Sequence, residues 1–125
     1  MFDHIGIDVT DLARSKEFYS KALAPLGHSL VMDLPEYGAA GFGTKRPQFW
    51  IGADGSFGKN GTGDEIHVAF AARSRNEVDQ FYAAAIAAGG RDNGKPGLRP
   101  EYHENYYGAF VLDPDGVNLE AVFHG

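Results

Sequence analysis

His4-Ile5-Gly6-Ile7-Asp8-Val9 decides the fold, because its alternation of apolar with small or polar residues returns 63 positions later in His67-Val68-Ala69-Phe70-Ala71. At that offset His4 falls on His67, Phe18-Tyr19 on Phe81-Tyr82, Ala22 on Ala85, Ala24 on Ala87 and Gly27 on Gly90, with no gap. A fixed-offset self-match marks a duplicated structural unit. The period-two stretches predict strands. Behind each comes a helical pattern, apolar at Leu12, Tyr19, Ala22, Leu23 and Leu26 in the first copy and at Val78, Phe81, Tyr82, Ala85 and Ile86 in the second. Asp11 and Ser74 stand at equivalent places as N-caps, Ser74 to Glu77 reading as a capping box, and Gly27 and Gly89-Gly90 stop the helices.

Past the helices the best offset becomes 70, placing Tyr37-Gly38-Ala39 over Tyr107-Gly108-Ala109 and Gln48-Phe49-Trp50 over Asn118-Leu119-Glu120. The additional residues read as a longer loop in the second copy, between Gly90 and Tyr107. Strands are expected around 28–32, 39–42 and 48–51, then around 107–112 and 117–123, the second copy's earliest strand being obscure. Asp113-Pro114-Asp115-Gly116 is a hairpin signal. The predicted class is α+β, a single domain of two tandem βαβββ modules (1–52 and 65–125) forming a cupped, incomplete β-barrel with helices on its outer face. A Gly-rich segment at 53–64 reads as a mobile connector.

The 125 residues are 43% hydrophobic, which suits one globular domain, and 17 acidic against 11 basic residues give a net charge of -6. That balance argues against nucleic acid or an anionic membrane as partner. With no cysteine, thiolate metal sites, disulfides and thiol nucleophiles are excluded. The start Met-Phe-Asp-His has no basic lead into an apolar segment, and no apolar run is long enough to span a bilayer, so a cytoplasmic location is expected.

If apolar residues of each first strand pack on the helix, His4 with Gly6 and His67 with Ala69 occupy the opposite face. On the last strand Leu119, Ala121 and Phe123 share one face, leaving Glu120 on the other. A carboxylate inside an apolar strand needs partners or a metal. Pairing of the modules about a pseudo-twofold axis brings His4 and His67 together with Glu120, the three-ligand set of non-haem iron(II) and of catalytic zinc. The competing reading is a metal-free cavity that keeps three polar residues. His28, His103 and His124 lack symmetry partners and read as surface residues. In the segment Arg99 to Tyr107, Tyr106 or Tyr107 can hydrogen-bond a ligand oxygen, His103 can act as acid or base, Arg99 can hold a carboxylate, and Tyr102 adds an aromatic wall. Trp50 reads as another apolar wall.

His4 to Val9, Asp11-Leu12-Ala13-Arg14-Ser15-Lys16-Glu17-Phe18-Tyr19, His67-Val68-Ala69-Phe70 and Asp113-Pro114-Asp115-Gly116-Val117-Asn118-Leu119-Glu120 together resemble the vicinal oxygen chelate superfamily, the glyoxalase, bleomycin-resistance and dioxygenase fold. The resemblance covers essentially the entire chain and implies a cup around a divalent metal (zinc, iron, manganese or nickel) that chelates neighbouring substrate oxygens. It puts His4, His67 and Glu120 on the ligand positions. Trp50 falls where glyoxalase I carries a fourth, carboxylate ligand and methylmalonyl-CoA epimerase a glutamine, and indole cannot ligate. The resemblance therefore implies a metal-dependent lyase or isomerase other than a typical glyoxalase I, with dioxygen chemistry second, acting on a small molecule. The alternative is a metal-free binding protein similar to bleomycin-resistance members, with Trp50, Tyr106 and Tyr107 holding an aromatic or cationic ligand. A homodimer is implied, its site lying within one chain or shared between two.

Overall fold

A computed structural model describes residues 1–53 and 66–125, so the connector, Ala53 excepted, lies outside the described residues. The first module runs β1 (Ile5–Val9), α1 (Leu12–Leu23), β2 (Ser29–Leu34), β3 (Ala39–Gly43) and β4 (Pro47–Ala53). The second repeats it as β5 (His67–Ala71), α2 (Arg75–Ala87), β6 (Arg91–Leu98), β7 (Tyr107–Leu112) and β8 (Asn118–Phe123). Two open four-stranded sheets result, ordered β1-β4-β3-β2 and β5-β8-β7-β6. In each the outer pair, β1 with β4 or β5 with β8, is parallel and the others are antiparallel. The parallel pair is possible because a helix and two strands separate its members in the chain.

The caps are those the sequence points to. Asp11 accepts from the Arg14 backbone N–H and Ser74 from that of Glu77. Glu77 departs from the reciprocal capping box by reaching back one residue further, to the N–H of Arg73 at 2.8 Å and to its guanidinium. Because Ser74 satisfies an otherwise orphaned amide, Ser74→Ala should lower stability by about 1 kcal/mol, read as a shifted urea midpoint with unchanged slope.

α1 buries Phe18, Tyr19, Ala22 and Leu23 and α2 buries Val78, Phe81 and Ala85, each against its own sheet, and the two helices also touch each other. One continuous core therefore serves both modules. Phe49 meets Phe70 edge-on across the junction at 5.3 Å. The Asp113–Gly116 turn does more than reverse the chain. Asp113 accepts from the Tyr19 hydroxyl of α1, and Asp115 accepts from Thr10 and Arg14 at the start of that helix. No described helix is long and apolar enough to cross a membrane.

Two sequence expectations need correction. The obscure strand is β6, so only residues 99–106 of the expected long loop are loop. As an edge strand, β6 needs no apolar alternation and tolerates Pro96, and its pairing with β7 breaks register around Gly94 and Gly97. The offset of 70 holds for β4 and β8, where Trp50 pairs with Gly6 and Glu120 with Ala69. For β3 and β7 it fails. Ala40 and Phe42 are the buried pair in β3 and Ala109 and Val111 in β7, a separation of 69, so the shared Tyr-Gly-Ala string is not structurally equivalent.

Candidate functional site

Register places Ala69, Glu120, Phe110 and Gly94 in one row across β5, β8, β7 and β6. Alternation turns this row away from α2, since neighbouring Leu119, Ala121, Ala109 and Val111 are core. The small residue at 69, paired with Glu120, gives the carboxylate side chain room on that side. Gly108 makes room on another: a Cβ there would lie 3.2 Å from both Glu120 Oε2 and the Tyr106 ring. Glu120 is nonetheless only 3% exposed, because His67, Tyr106 and Phe110 surround it.

The hydrogen-bond logic of this group is constrained. His67 Nδ1 lies 3.2 Å from the Asn118 carbonyl oxygen, which can only accept, so Nδ1 carries the ring proton. Nε2 lies 3.1 Å from Glu120 Oε1, so a doubly protonated ring donates to the carboxylate and a neutral ring presents it a lone pair. Two acceptors at that distance repel unless a proton or a metal cation lies between them. Glu120 Oε2 accepts from the Tyr106 hydroxyl. Burial, and after it the bond to Glu120, push the Tyr106 phenol well above its ordinary range, so it stays a donor at any working pH. The donor set suits a divalent ion: imidazole nitrogen, carboxylate oxygen, and outer partners fixing both.

His4 stands just before β1 as His67 opens β5, and its Nδ1 is held by Asp3 Oδ1 at 2.7 Å, which leaves its Nε2 available in the same way. It lines a depression on the first module with Trp50, Arg46 and Pro47. Within one chain it does not join the pair: among the described residues no three His, Asp or Glu side chains converge to hold a metal.

The remaining candidates divide. Tyr102 packs edge-on against Tyr106 at 4.9 Å and is exposed. Tyr107 points to the other side of the sheet, donating to Asp79 of α2 with Arg75 over its ring. His103 stacks on His124, Nε2 to Nδ1 2.7 Å, with both rings against Tyr106. The Asn105 N–H approaches His103 Nδ1, so His103 donates from Nε2. Arg99 lies over Phe110. His28, read as a surface residue, is instead half-buried. It lines a crevice of about 280 Å³ at the module junction, with Phe42, Phe49 and Phe70. Burial, then the neighbouring Arg73, hold its pKa below the ordinary imidazole value. His67 and Glu120 do not border that crevice.

Asp3, Gly108, Phe110 and Asn118 were missed by sequence reasoning. Alternation along β7 and β8 carried a signal for Gly108 and Phe110, which share a face with Glu120. Asn118 acts through its backbone, which side-chain patterns cannot show.

The family model of the Glyoxalase/Bleomycin resistance protein/Dioxygenase superfamily matches residues 1–121. The chain belongs to that superfamily. It is 31% identical to a glyoxalase/bleomycin resistance protein from Albidiferax ferrireducens T118, covering 100% of this chain and 99% of that one with a TM-score of 0.83. A glyoxalase/bleomycin resistance protein/dioxygenase family enzyme from Burkholderia phytofirmans PsJN shares the fold (20% identity, 98% of each chain, TM-score 0.76). So does a lactoylglutathione lyase from Agrobacterium tumefaciens (18% identity, 98% and 92%, TM-score 0.72). No protein of curated function matches the sequence. Members of the superfamily commonly bind divalent metals and small molecules and often form dimers.

Proposed function

We propose that this superfamily member is a divalent-metal-dependent lyase or isomerase acting on a small substrate with neighbouring oxygens. The reading rests on the His67–Glu120 pair, an imidazole nitrogen and a buried carboxylate oxygen 3.1 Å apart, a spacing at which both can ligate one divalent cation. His4 completes the set from a second copy of the chain. In a twofold dimer, module one of each subunit meets module two of the other, and the three-ligand site forms twice. A bound divalent ion supplies Lewis-acid polarisation of a substrate carbonyl or hydroxyl.

The chain's own groups do the rest. Tyr106 keeps its proton and spends it on Glu120 Oε2, fixing the carboxylate that would help hold the ion. His103, packed on Tyr106, is the proton carrier at the mouth. Trp50 gives module one an aromatic wall where Glu120 stands in module two, so the proton is moved without a carboxylate from that position.

Metal per chain, measured by plasma mass spectrometry, tests the reading. We expect about one ion per chain in the parent and almost none in His4→Ala or His67→Ala. Statistical remixing of those two variants makes half the dimers mixed, each with one intact site, and restores about a quarter of an ion per chain. A site inside one chain would recover nothing on mixing. A parent that takes up no iron(II), manganese, nickel or zinc overturns the enzyme reading and leaves a metal-free binding protein.

A further inference from the structure

Arg99 follows β6 and sits at the far end of the Glu120 row. Its guanidinium carbon lies 5.5 Å from the Phe110 ring centre, and the His67 imidazole stacks on the same ring at 6.2 Å. With His67 on β5, Phe110 on β7 and Arg99 beyond β6, the aromatic ring separates the acid–imidazole pair from the cation. The guanidinium is held in place. Nη2 donates to the Lys95 carbonyl at 2.7 Å, Nη1 approaches that of Leu98, and the Arg99 N–H donates to the Tyr106 carbonyl, closing the loop at its base.

The space around Arg99 is kept clear. A Cβ at Gly94 would lie 3.3 Å from Nη2 and one at Gly97 3.2 Å from Nη1, and Gly94 has a φ of +149°. No carboxylate among the described residues forms an ion pair with Arg99, although the chain carries 17 acidic residues. A half-buried guanidinium fixed by neutral carbonyls on an aromatic platform, with N–H groups to spare, is suited to a carboxylate.

We propose that Arg99 is the anion subsite beside the His67–Glu120 pair and that the substrate is a small organic carboxylate. Its acid group lies about one aromatic ring from the oxygens that react, an assignment that rests on His67 and Glu120 being the reacting end. Two strand spacings, about 10 Å, separate the β8 and β6 rows. A ring or short carbon chain spans that gap once a hydrogen bond is added at each end. The spacer crosses beside Phe110, from the His67 side of its ring to the Arg99 side.

Calorimetric titration with 3,4-dihydroxybenzoate, catechol and benzoate separates the parts. On metal-loaded protein, 3,4-dihydroxybenzoate should bind about 10–100-fold more tightly than catechol. Arg99→Met should erase that preference while leaving catechol affinity unchanged, and Arg99→Lys should restore part of it. Benzoate, which has no neighbouring oxygens, reports on Arg99 in metal-free protein. If no metal binds but benzoate affinity still falls in Arg99→Met, the anion subsite stands and the metal reading fails. If metal binds and the acid shows no advantage over catechol, or if the advantage survives in a folded Arg99→Met, the proposal is overturned.

Discussion

Glu120→Gln should leave metal-free protein about as stable as the parent while abolishing stabilisation by divalent metal. The two outcomes follow from the hydrogen bonds and the charge. In the parent, Glu120 Oε1 faces His67 Nε2, and its other oxygen accepts from Tyr106. An amide in its place can donate to His67 Nε2 and still accept from Tyr106, so the buried polar atoms remain paired and the change stays within about 1 kcal/mol. The amide carries no charge to balance a divalent ion. A metal held at 1,000 times its Kd stabilises by about 4 kcal/mol, which in a domain of this size raises Tm by roughly 10 °C or more. Thermal melts with and without metal read both effects. Equal metal-induced shifts in parent and variant would place the ion elsewhere. A large loss of metal-free stability would mean that His67 and Glu120 are a structural ion pair completed by a proton.

Much of the fold was legible because duplication tests itself. The match of His4 to His67 and of Gly27 to Gly90 predicts two copies of one topology, and the sheets repeat it strand for strand. Strand β6 was illegible because an exposed edge strand with Pro96 and three glycine or asparagine positions has no apolar face to alternate. The Tyr-Gly-Ala coincidence misled for a related reason: short identical strings carry less information than which residues are buried. Only buried Ala40 and Phe42, against Ala109 and Val111, reveal the true register.

At the site, alternation put Glu120 and His67 on one open face, and the structure sets them 3.1 Å apart. Tyr106 was separable from Tyr107 only once the strand existed, since the start of β7 decides which ring meets Glu120 and which meets Asp79. Joining His4 to the pair requires knowing how modules of two chains meet, and no intrachain periodicity encodes that. The Asp113–Gly116 turn was read as a hairpin. Its bond to Tyr19, 94 residues earlier, is tertiary and leaves no local trace.

That turn carries the second large expectation: Asp113→Ala should cost about 3–5 kcal/mol, measured by urea unfolding at neutral pH. Asp113 is 1% exposed. Its Oδ1 accepts from the N–H groups of Asp115 and Val117 at 2.8 and 2.9 Å, and its Oδ2 accepts from the fully buried Tyr19 hydroxyl. Alanine strands three donors, each worth about 1–3 kcal/mol when left unpaired in the interior, with partial relief because the turn can admit water. Asp113→Asn keeps an acceptor for the backbone pair and should cost about 1–2 kcal/mol. Burial raises the Asp113 carboxyl above its ordinary value, outweighing the bonds that lower it. The folded protein therefore binds this proton more readily than the unfolded chain, so the contribution of this group to stability increases as pH falls through that window. The advantage of the parent over Asp113→Asn should accordingly widen on mild acidification, and acid unfolding should begin at other carboxylates. Because one continuous core serves both modules, they should unfold in a single transition even in Asp113→Ala. A loss below about 1 kcal/mol in Asp113→Ala would show that the shared core holds the modules together without the carboxylate.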